Sequence, residues 1–326
     1  MRNIVPTGRP ATPRPLIGTA NIANLLLGLQ RSAKGITLPP AFAPTPKPEP
    51  TFGLGPVLGR LGPLEVRLAT TRKDVKRAQR LRYRVFYEEM AAIPDMMSRL
   101  KRRDIDGFDA ICDHLLVIDH DAPARRFAPA RRKARVVGTY RLLRQDVAER
   151  HVGFYTQSEF DIAPLIAAHP GARFLELGRS CVLEPYRDKR TVELLWHGVW
   201  AYVLHHRVDV MFGCASLAGT DPDALALPLS FLHHHARAPE DWRAAALPRL
   251  AVPMDRLPPE RVDARRALRA LPPLLKGYLR VGATFGDGAV VDRQFGTTDV
   301  LVILPVAAIN PRYVEHFGVD ASRHAA

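Results

Sequence analysis

A chain of 326 residues with 47% apolar and 25% charged residues is long enough to bury a sizeable core and too apolar for whole-chain disorder. Its 47 Lys and Arg against 33 Asp and Glu leave a formal charge of +14, so the expected partner is acidic, whether nucleic acid, an anionic membrane or an acidic protein. Three scattered cysteines, Cys112, Cys181 and Cys214, exclude a disulfide framework and fit a reducing cytoplasm, and no apolar run reaches the roughly 18 residues of a spanning helix.

Residues 1–63 hold 12 of the 29 prolines, seven Lys or Arg and one acid, Glu49, which is the composition of a disordered basic tail. Within it Ile22, Leu25, Leu26 and Leu29 have helical spacing, as a short surface-seeking helix would. One catalytic domain is expected over residues 64–320. Leu64 to Ala69 alternates like a strand, and Thr71 with Asp74 caps a helix running to about Met90, its buried stripe being Val75, Ala78, Leu81 and Val85. His114–Asp119 and Arg135–Leu143 read as strands joined by a loop carrying Arg125, Arg126, Arg131, Arg132 and Lys133, and Phe174–Leu183 reads as another. Thr191 is expected to cap a helix with Leu195, Trp196, Val199 and Val203 on its apolar face, followed by a buried strand from Val208 to Ala215. Helices over 223–234 and 264–281 and a strand over 300–305 complete an α/β pattern.

The segment from Glu184 to Val192 joins a strand to a helix and brings Arg187, Lys189 and Arg190 to helix N-terminal amides, a place suited to phosphate. It resembles the acyl-donor loop of the GNAT acyltransferase superfamily, with Arg187 at the first position of its motif. Arg190 and Val192 stand where that superfamily has glycines, so side chains fill the space in which backbone approaches a pyrophosphate. A single phosphate on a carrier-bound phosphopantetheine suits such a loop better than coenzyme A.

Upstream, Arg84-Val85-Phe86, Asp106-Gly107-Phe108-Asp109, Gly138-Thr139-Tyr140-Arg141-Leu142-Leu143 and Glu176-Leu177-Gly178-Arg179 resemble, in that order, motifs of the acyl-homoserine lactone synthases. The strings from Leu81 to Phe86, Glu176 to Val182, Thr191 to Trp196 and Asp292 to Val300 look closer still to the hemolysin-like ornithine N-acyltransferases, over roughly four fifths of the chain. The resemblance implies a GNAT-like mixed central sheet flanked by helices. It also implies transfer of a (3-hydroxy)fatty acyl group from acyl carrier protein to the α-amine of L-ornithine, giving lyso-ornithine lipid.

Such a reaction needs a general base for the attacking amine, and Glu176 is the candidate. Three residues along a regular strand, Glu176 and Arg179 would start on opposite faces. Oxyanion donors and the acyl-donor site are expected among Ser180, Cys181, Val182 and Leu183, with Arg187, Lys189, Arg190 and Thr191 holding the phosphopantetheine. A dicationic amino acid needs an anion for its side-chain ammonium, Asp106 or Asp109, and a cation for its carboxylate, Arg141 or Arg179. No metal or other cofactor is expected.

His114 and Asp119 fit an H-x-x-x-x-D pattern but fall on opposite faces of a strand, His233 to His235 project in different directions, and the cysteines read as inert buried thiols. Arginines are dispersed with few interleaved aromatics, which argues against nucleic acid. An acidic carrier protein and a peripheral contact with the anionic inner membrane account for the charge. The alternatives are an acyl-homoserine lactone synthase and a noncatalytic basic protein that binds membrane or nucleic acid.

Overall fold

Alternating apolar residues build the first strands in the computed structural model, which describes residues 54–122 and 134–309. β1 (Val57–Leu61) and β2 (Leu64–Leu68) form an antiparallel hairpin turned at Gly62, whose φ of 61° is a left-handed value that side chains disfavour. Residues read as tail thus belong to the sheet: Val57, Leu58 and Leu61 were the apolar signal within the proline-rich stretch. The Ile22–Leu29 pattern, the basic loop from Arg125 to Lys133 and residues 310–320 lie outside the described residues.

The Thr71 hydroxyl accepts from the Asp74 amide at 3.1 Å and caps α1 (Arg72–Tyr83), whose Val75, Ala78 and Leu81 are buried, as is Val85 just beyond it. The helix does not continue to Met90 as an α-helix. Arg84–Glu89 form a π turn, and the Met90 amide donates to the Val85 carbonyl five residues back at 3.0 Å. There follow α2 (Met96–Lys101), β3 (Asp113–Asp119), β4 (Arg135–Arg144), α3 (Gln145–Glu149), β5 (Phe160–Asp161), α4 (Ala163–Ala168) and β6 (Phe174–Val182).

Next come α5 (Lys189–His205), β7 (Val210–Ala218), α6 (Ala226–His235), β8 (Ala245–Ala246) and β9 (Ala251–Val252). The expected helix over 264–281 is two helices, α7 (Ala264–Ala270) and α8 (Pro273–Val281), because Pro272 and Pro273 break the backbone ladder. The hairpin of β10 (Thr284–Asp292) and β11 (Thr297–Pro305) is followed by a 3₁₀ turn, Val306–Ala308. β10 escaped the sequence reading, since Gly286 and Gly288 dilute its alternation and a bulge lies between Phe285 and Ala289.

The strands form one mixed sheet in the order β1-β2-β3-β4-β6-β7-β11-β10-β8-β5 with β9 on β10, and α1 and α5 pack against it, α1 on β4 and β6 and α5 on β1 to β4. Leu115, Leu116, Val117 and Leu142 from the sheet and Leu194, Leu195, Val199 and Tyr202 from α5 share one buried core. β6 and β7 are parallel and pair only from Phe174 with Val210 to Glu176 with Phe212. Beyond that point the sheet forks.

At the fork the Gly213 Cα approaches the Leu177 carbonyl so closely that a Cβ would lie 2.3 Å from that oxygen. A side chain there must push β7 away from β6. Gly213→Val is therefore expected to destabilise the fold by about 1–3 kcal/mol, lowering the melting temperature by about 2–4 °C per kcal/mol for a chain of this size. An unchanged melting curve would show that the fork tolerates widening.

Candidate active site

The fork opens into a cavity of about 570 Å³. Val85 and Phe86 of the π turn, Leu195 and Trp196 of α5 and Leu274 and Tyr278 of α8 give it an apolar wall, while Glu176, Arg141, Arg179, Asp292 and Asp299 give it charge. That mixture of a long apolar wall with a few convergent polar groups is the usual composition of a ligand site.

The polar part is arranged by a β-bulge. Across β4, Thr139 pairs with Cys181 but Arg141 pairs with Gly178, so β6 carries one extra residue at Arg179–Ser180. Arg179 takes up the kink with a φ of 51°, a left-handed value rare for a side chain of this size. The extra residue breaks strict alternation, so Glu176 and Arg179, expected on opposite faces, both line the cavity. The Arg179 guanidinium lies against the rings of Tyr155 and Phe295, 4.8 and 4.9 Å from their centroids.

Glu176 is buried, and its two oxygens accept from the amides of Thr156 at 2.6 Å and Tyr155 at 3.0 Å. Burial pushes its carboxyl above the ordinary range, and hydrogen bonds from Thr156 and Tyr155 offset this only in part. The result is a fixed carboxylate with a raised affinity for a proton, at the point where β6 and β7 part.

Behind it lies a network of arginines and aspartates. Arg82 of α1 is fully buried, its Nε donating to Asp104 at 2.7 Å and its Nη2 to the Asp104 carbonyl and both oxygens of Asp109 at 2.7–2.8 Å. Asp109 also accepts from Gln79 at 2.9 Å, and Tyr87 donates to Asp104 at 3.0 Å. Arg141 Nη1 holds both oxygens of Asp106 at 2.6 Å, and Arg179 lies 3.5 Å from Asp106 and 3.6 Å from Asp104. Burial pushes the Asp106 carboxyl up, but Arg141, Arg179 and Arg82 outweigh it and hold the group well below the usual carboxylate range.

Asp106 and Asp109 are thus already matched to arginines, and neither lines the cavity. The acid for a substrate ammonium was expected there because a dicationic acceptor needs an anion and these two lie in a motif of the resemblance. What the sequence does not display is Arg82, whose guanidinium reaches Asp109 across 27 residues. Arg141 lines the cavity but is engaged by Asp106; Arg179 is the more accessible of the two cations.

Of the expected acyl-donor residues, Ser180, Cys181, Val182 and Arg187 line the cavity, and Leu183 is buried with its amide on Val137. Arg187 donates to the Val182 carbonyl at 3.0 Å and to Glu89 at 2.6 Å, tying β6 to the π turn. Thr191 is not the cap of α5. Asp188 is, accepting from the Thr191 amide at 2.8 Å, and Thr191 is fully buried in the first turn. An aspartate at that helix start opposes a doubly charged pyrophosphate more than a single phosphate. Lys189 stays in solvent beside Glu193 at 3.5 Å, and an Arg190 Nη lies beside Gly62.

Burial raises the thiols, Cys181 to about 12 and Cys112 and Cys214 well above their ordinary value, so none is primed as a nucleophile. His114 is buried with Nε2 on the Asp109 carbonyl, and Asp119 accepts from Tyr186 at 2.7 Å.

The sequence reading assigned no role to Glu159, Asp292 or Asp299. Their carboxylate oxygens lie within 4.8 Å of one another, the one group of three ligating side chains able to hold a metal ion among the described residues. Asp292 and Asp299 were inside a quoted motif, but Glu159 is more than a hundred residues away, and no spacing rule links it to them.

Residues 81–197 match the acetyltransferase (GNAT) domain, which agrees with the mixed, helix-flanked sheet and its fork. The L-ornithine N(alpha)-acyltransferase of Rhizobium meliloti (strain 1021) is 55% identical over 267 residues, 82% of this chain and 88% of that protein. That of Agrobacterium fabrum (strain C58 / ATCC 33970) is 54% identical over 267 residues, 82% and 89% of the two chains. Among solved structures, a CoA-dependent acyl-homoserine lactone synthase, MesI, is similar at 13% identity with a TM-score of 0.40 over 77% of this chain and 92% of that one.

Truncating one partner of the buried network leaves an uncompensated charge. Arg82→Met is expected to cost about 3–5 kcal/mol, whereas Lys189→Ala, at an exposed pair, leaves the melting temperature unchanged. Equal melting of the two variants would mean that the network contributes nothing to the fold.

Proposed function

The chain belongs to the L-ornithine N(alpha)-acyltransferase family, and on that premise we propose that its cavity joins a (3-hydroxy)fatty acyl group, carried as a thioester on acyl carrier protein, to the α-amine of L-ornithine, giving lyso-ornithine lipid. The observation that carries the reading is the fork itself: an apolar-walled cavity that ends at a buried carboxylate, Glu176, beside a guanidinium, Arg179.

In this reading the acyl chain lies along Val85, Phe86, Trp196 and Leu274, and the thioester sits against β6. The Leu183 amide points to β4, so by strand alternation the Val182 amide points into the fork, where it is placed to donate to the developing oxyanion. The neutral α-amine attacks the thioester carbon, forming the C–N bond, and Glu176 takes the proton it releases. Collapse of the tetrahedral adduct breaks the C–S bond, and the leaving thiolate takes up one proton, so the reaction is balanced by amide and thiol. Arg179 holds the amino-acid carboxylate.

Donor selection follows from the start of α5. Lys189 and Arg190, with Asp188 capping the helix, suit one phosphate diester and an acidic carrier surface. Met90 lines the cavity, and after it Ile93, Met96 and Leu100 are exposed in the same stretch of chain as Arg99, Lys101 and Arg102, a composition suited to an anionic membrane that receives the product. Such a contact fits a cytoplasmic enzyme working at the inner membrane. Ile93→Ser with Leu100→Ser is expected to reduce sedimentation of the protein with anionic vesicles; unchanged sedimentation would remove this patch from membrane contact.

The decisive experiment is mass spectrometry after incubation with 3-hydroxyacyl carrier protein and ornithine, lysine, glycine or S-adenosylmethionine. N-acylated ornithine is expected, and an acyl-homoserine lactone would move the assignment. Glu176→Gln, isosteric and able to accept one of the two backbone amides, is expected to lower kcat by about 10²–10⁴-fold while the protein stays folded with a lower melting temperature, because its NH2 cannot accept from the other amide. Full turnover would take the role of base away from Glu176. Lys189→Ala with Arg190→Ala is expected to raise the donor KM more at low salt than at high salt.

A further inference from the structure

We propose that Glu159, Asp292 and Asp299 form the subsite for the distal ammonium of a dibasic amino-acid acceptor, and that they select such an acceptor over an uncharged amino acid. The inference rests on the acyl-transfer reading above and deepens it.

Three observations carry it. The carboxylate oxygens of the three residues converge within 4.8 Å, and Asp292 and Asp299 line the cavity that holds Glu176 and Arg179. Glu159 is 7% exposed, yet its Oε2 has no hydrogen-bond partner in the protein, a costly state for a buried acid unless a donor arrives. Among the described residues no Lys, Arg or His forms an ion pair with any of the three. A primary ammonium offers three N–H donors and no acceptor, which matches a cluster of three carboxylates that no described arginine or lysine neutralises.

The subsite is rigid because the fold engages part of each acid. Asp292 Oδ1 accepts from the amides of Gln294 at 2.8 Å and Phe295 at 2.9 Å, inside the β10–β11 turn. Asp299 Oδ1 accepts from the Thr297 hydroxyl at 2.9 Å. The Glu159 amide donates to the Thr156 carbonyl at 3.0 Å, one turn after the amides that hold Glu176. A single 3₁₀ turn, Tyr155–Ser158, therefore sets both the base and the new subsite. Arg179, against Tyr155 and Phe295, lies beside both. An amino acid with its carboxylate on Arg179 and its α-amine toward Glu176 would direct a cationic side chain at the three acids.

The groups facing Glu159 are Asp292 of β10, Asp299 of β11, Arg179 of β6 and Cys214 of β7. Burial, then Asp299, pushes its carboxyl up to about 7, while a hydrogen bond from Cys214 and the more distant Arg179 act the other way. Glu159 thus holds a proton near neutrality and must give it up to receive a cation, so ornithine should bind more tightly as pH rises from 6 to 8.

The test compares L-ornithine with L-norvaline, which has the same chain without the ammonium, using full-length wild type, Glu159→Gln and Asp292→Asn. Asp292 is only partly buried, so its variant guards against a folding failure in the first. Each variant is expected to lower the ornithine-to-norvaline ratio of kcat/KM by about tenfold or more, with the donor KM unchanged. In calorimetry, ornithine should bind wild type more tightly at pH 8 than at pH 6, a trend flattened in Glu159→Gln. An unchanged ratio in both variants overturns the subsite, and so does ornithine binding that is lost to a chelator and restored by Mg²⁺ or Ca²⁺, which would make it a metal site. Wild type that binds ornithine through these acids but does not acylate it keeps the subsite and removes the acyl-transfer reading; wild type that neither binds nor acylates it removes both.

Discussion

The parting of β6 from β7 is the constraint on which the rest of the molecule depends. Two parallel strands in the middle of a sheet would normally satisfy each other's backbone along their length. Here they pair for three residues and then separate, so the β7-facing edge of β6 presents backbone groups to a cavity instead of to a neighbouring strand. Such an edge is affordable only where something else fills the gap. The wall supplied by the π turn, α5 and α8 keeps it narrow and apolar, and Gly213 lets the two strands meet closely before they diverge. The fork is thus a product of sheet geometry first and of side chains second.

The bulge on β6 is the fork's counterpart on the other edge of the same strand. It places Arg179 in a left-handed conformation that costs roughly 1–3 kcal/mol, and the surroundings hold it there: two aromatic rings against the guanidinium and aspartates 104 and 106 beside it. Those aspartates are in turn fixed by Arg82 and Arg141. A buried ion pair contributes little net stability over apolar residues, but a broken one is costly, so the completeness of the network matters more than any single pair. The network positions the strand that carries the base; it does not itself reach the cavity at Asp104 or Asp109.

How far the sequence could be read depended on whether the signal was local. The apolar runs that become β2, β3, β4 and β6 and the stripe of α1 follow from neighbouring residues, and the structure keeps them as strands and a helix. Glu176 and Arg179 were legible as a pair of polar residues in an apolar strand, but the bulge that turns both to one cavity was not, because it is defined only by the partner strand. Asp188 and Thr191 are both good helix caps at a spacing of three, and only the hydrogen bond decides between them. The π turn is likewise invisible to periodicity, since Val85 and Phe86 fit an α-helix equally well. Glu159 follows the Tyr155–Ser158 turn and Asp299 lies on β11, 140 residues further along the chain, and no local pattern predicts that they converge.

Charge separates the two acidic groups in this protein more clearly than burial does. Aspartates 104, 106 and 109 face Arg82, Arg141 and Arg179, three against three, at distances short enough to neutralise them. Glu159, Asp292 and Asp299 are as closely gathered, but their nearest cation is Arg179, which already leans on the first group. The same lowered dielectric that makes the first cluster tight makes the second repulsive. Raised proton affinity at Glu159 and Asp299 is the expected response of a site that carries excess negative charge in the empty protein. Three acids gathered without a matching cation repel one another, so their presence beside the cavity is best understood as complementarity to a cation that arrives with the substrate.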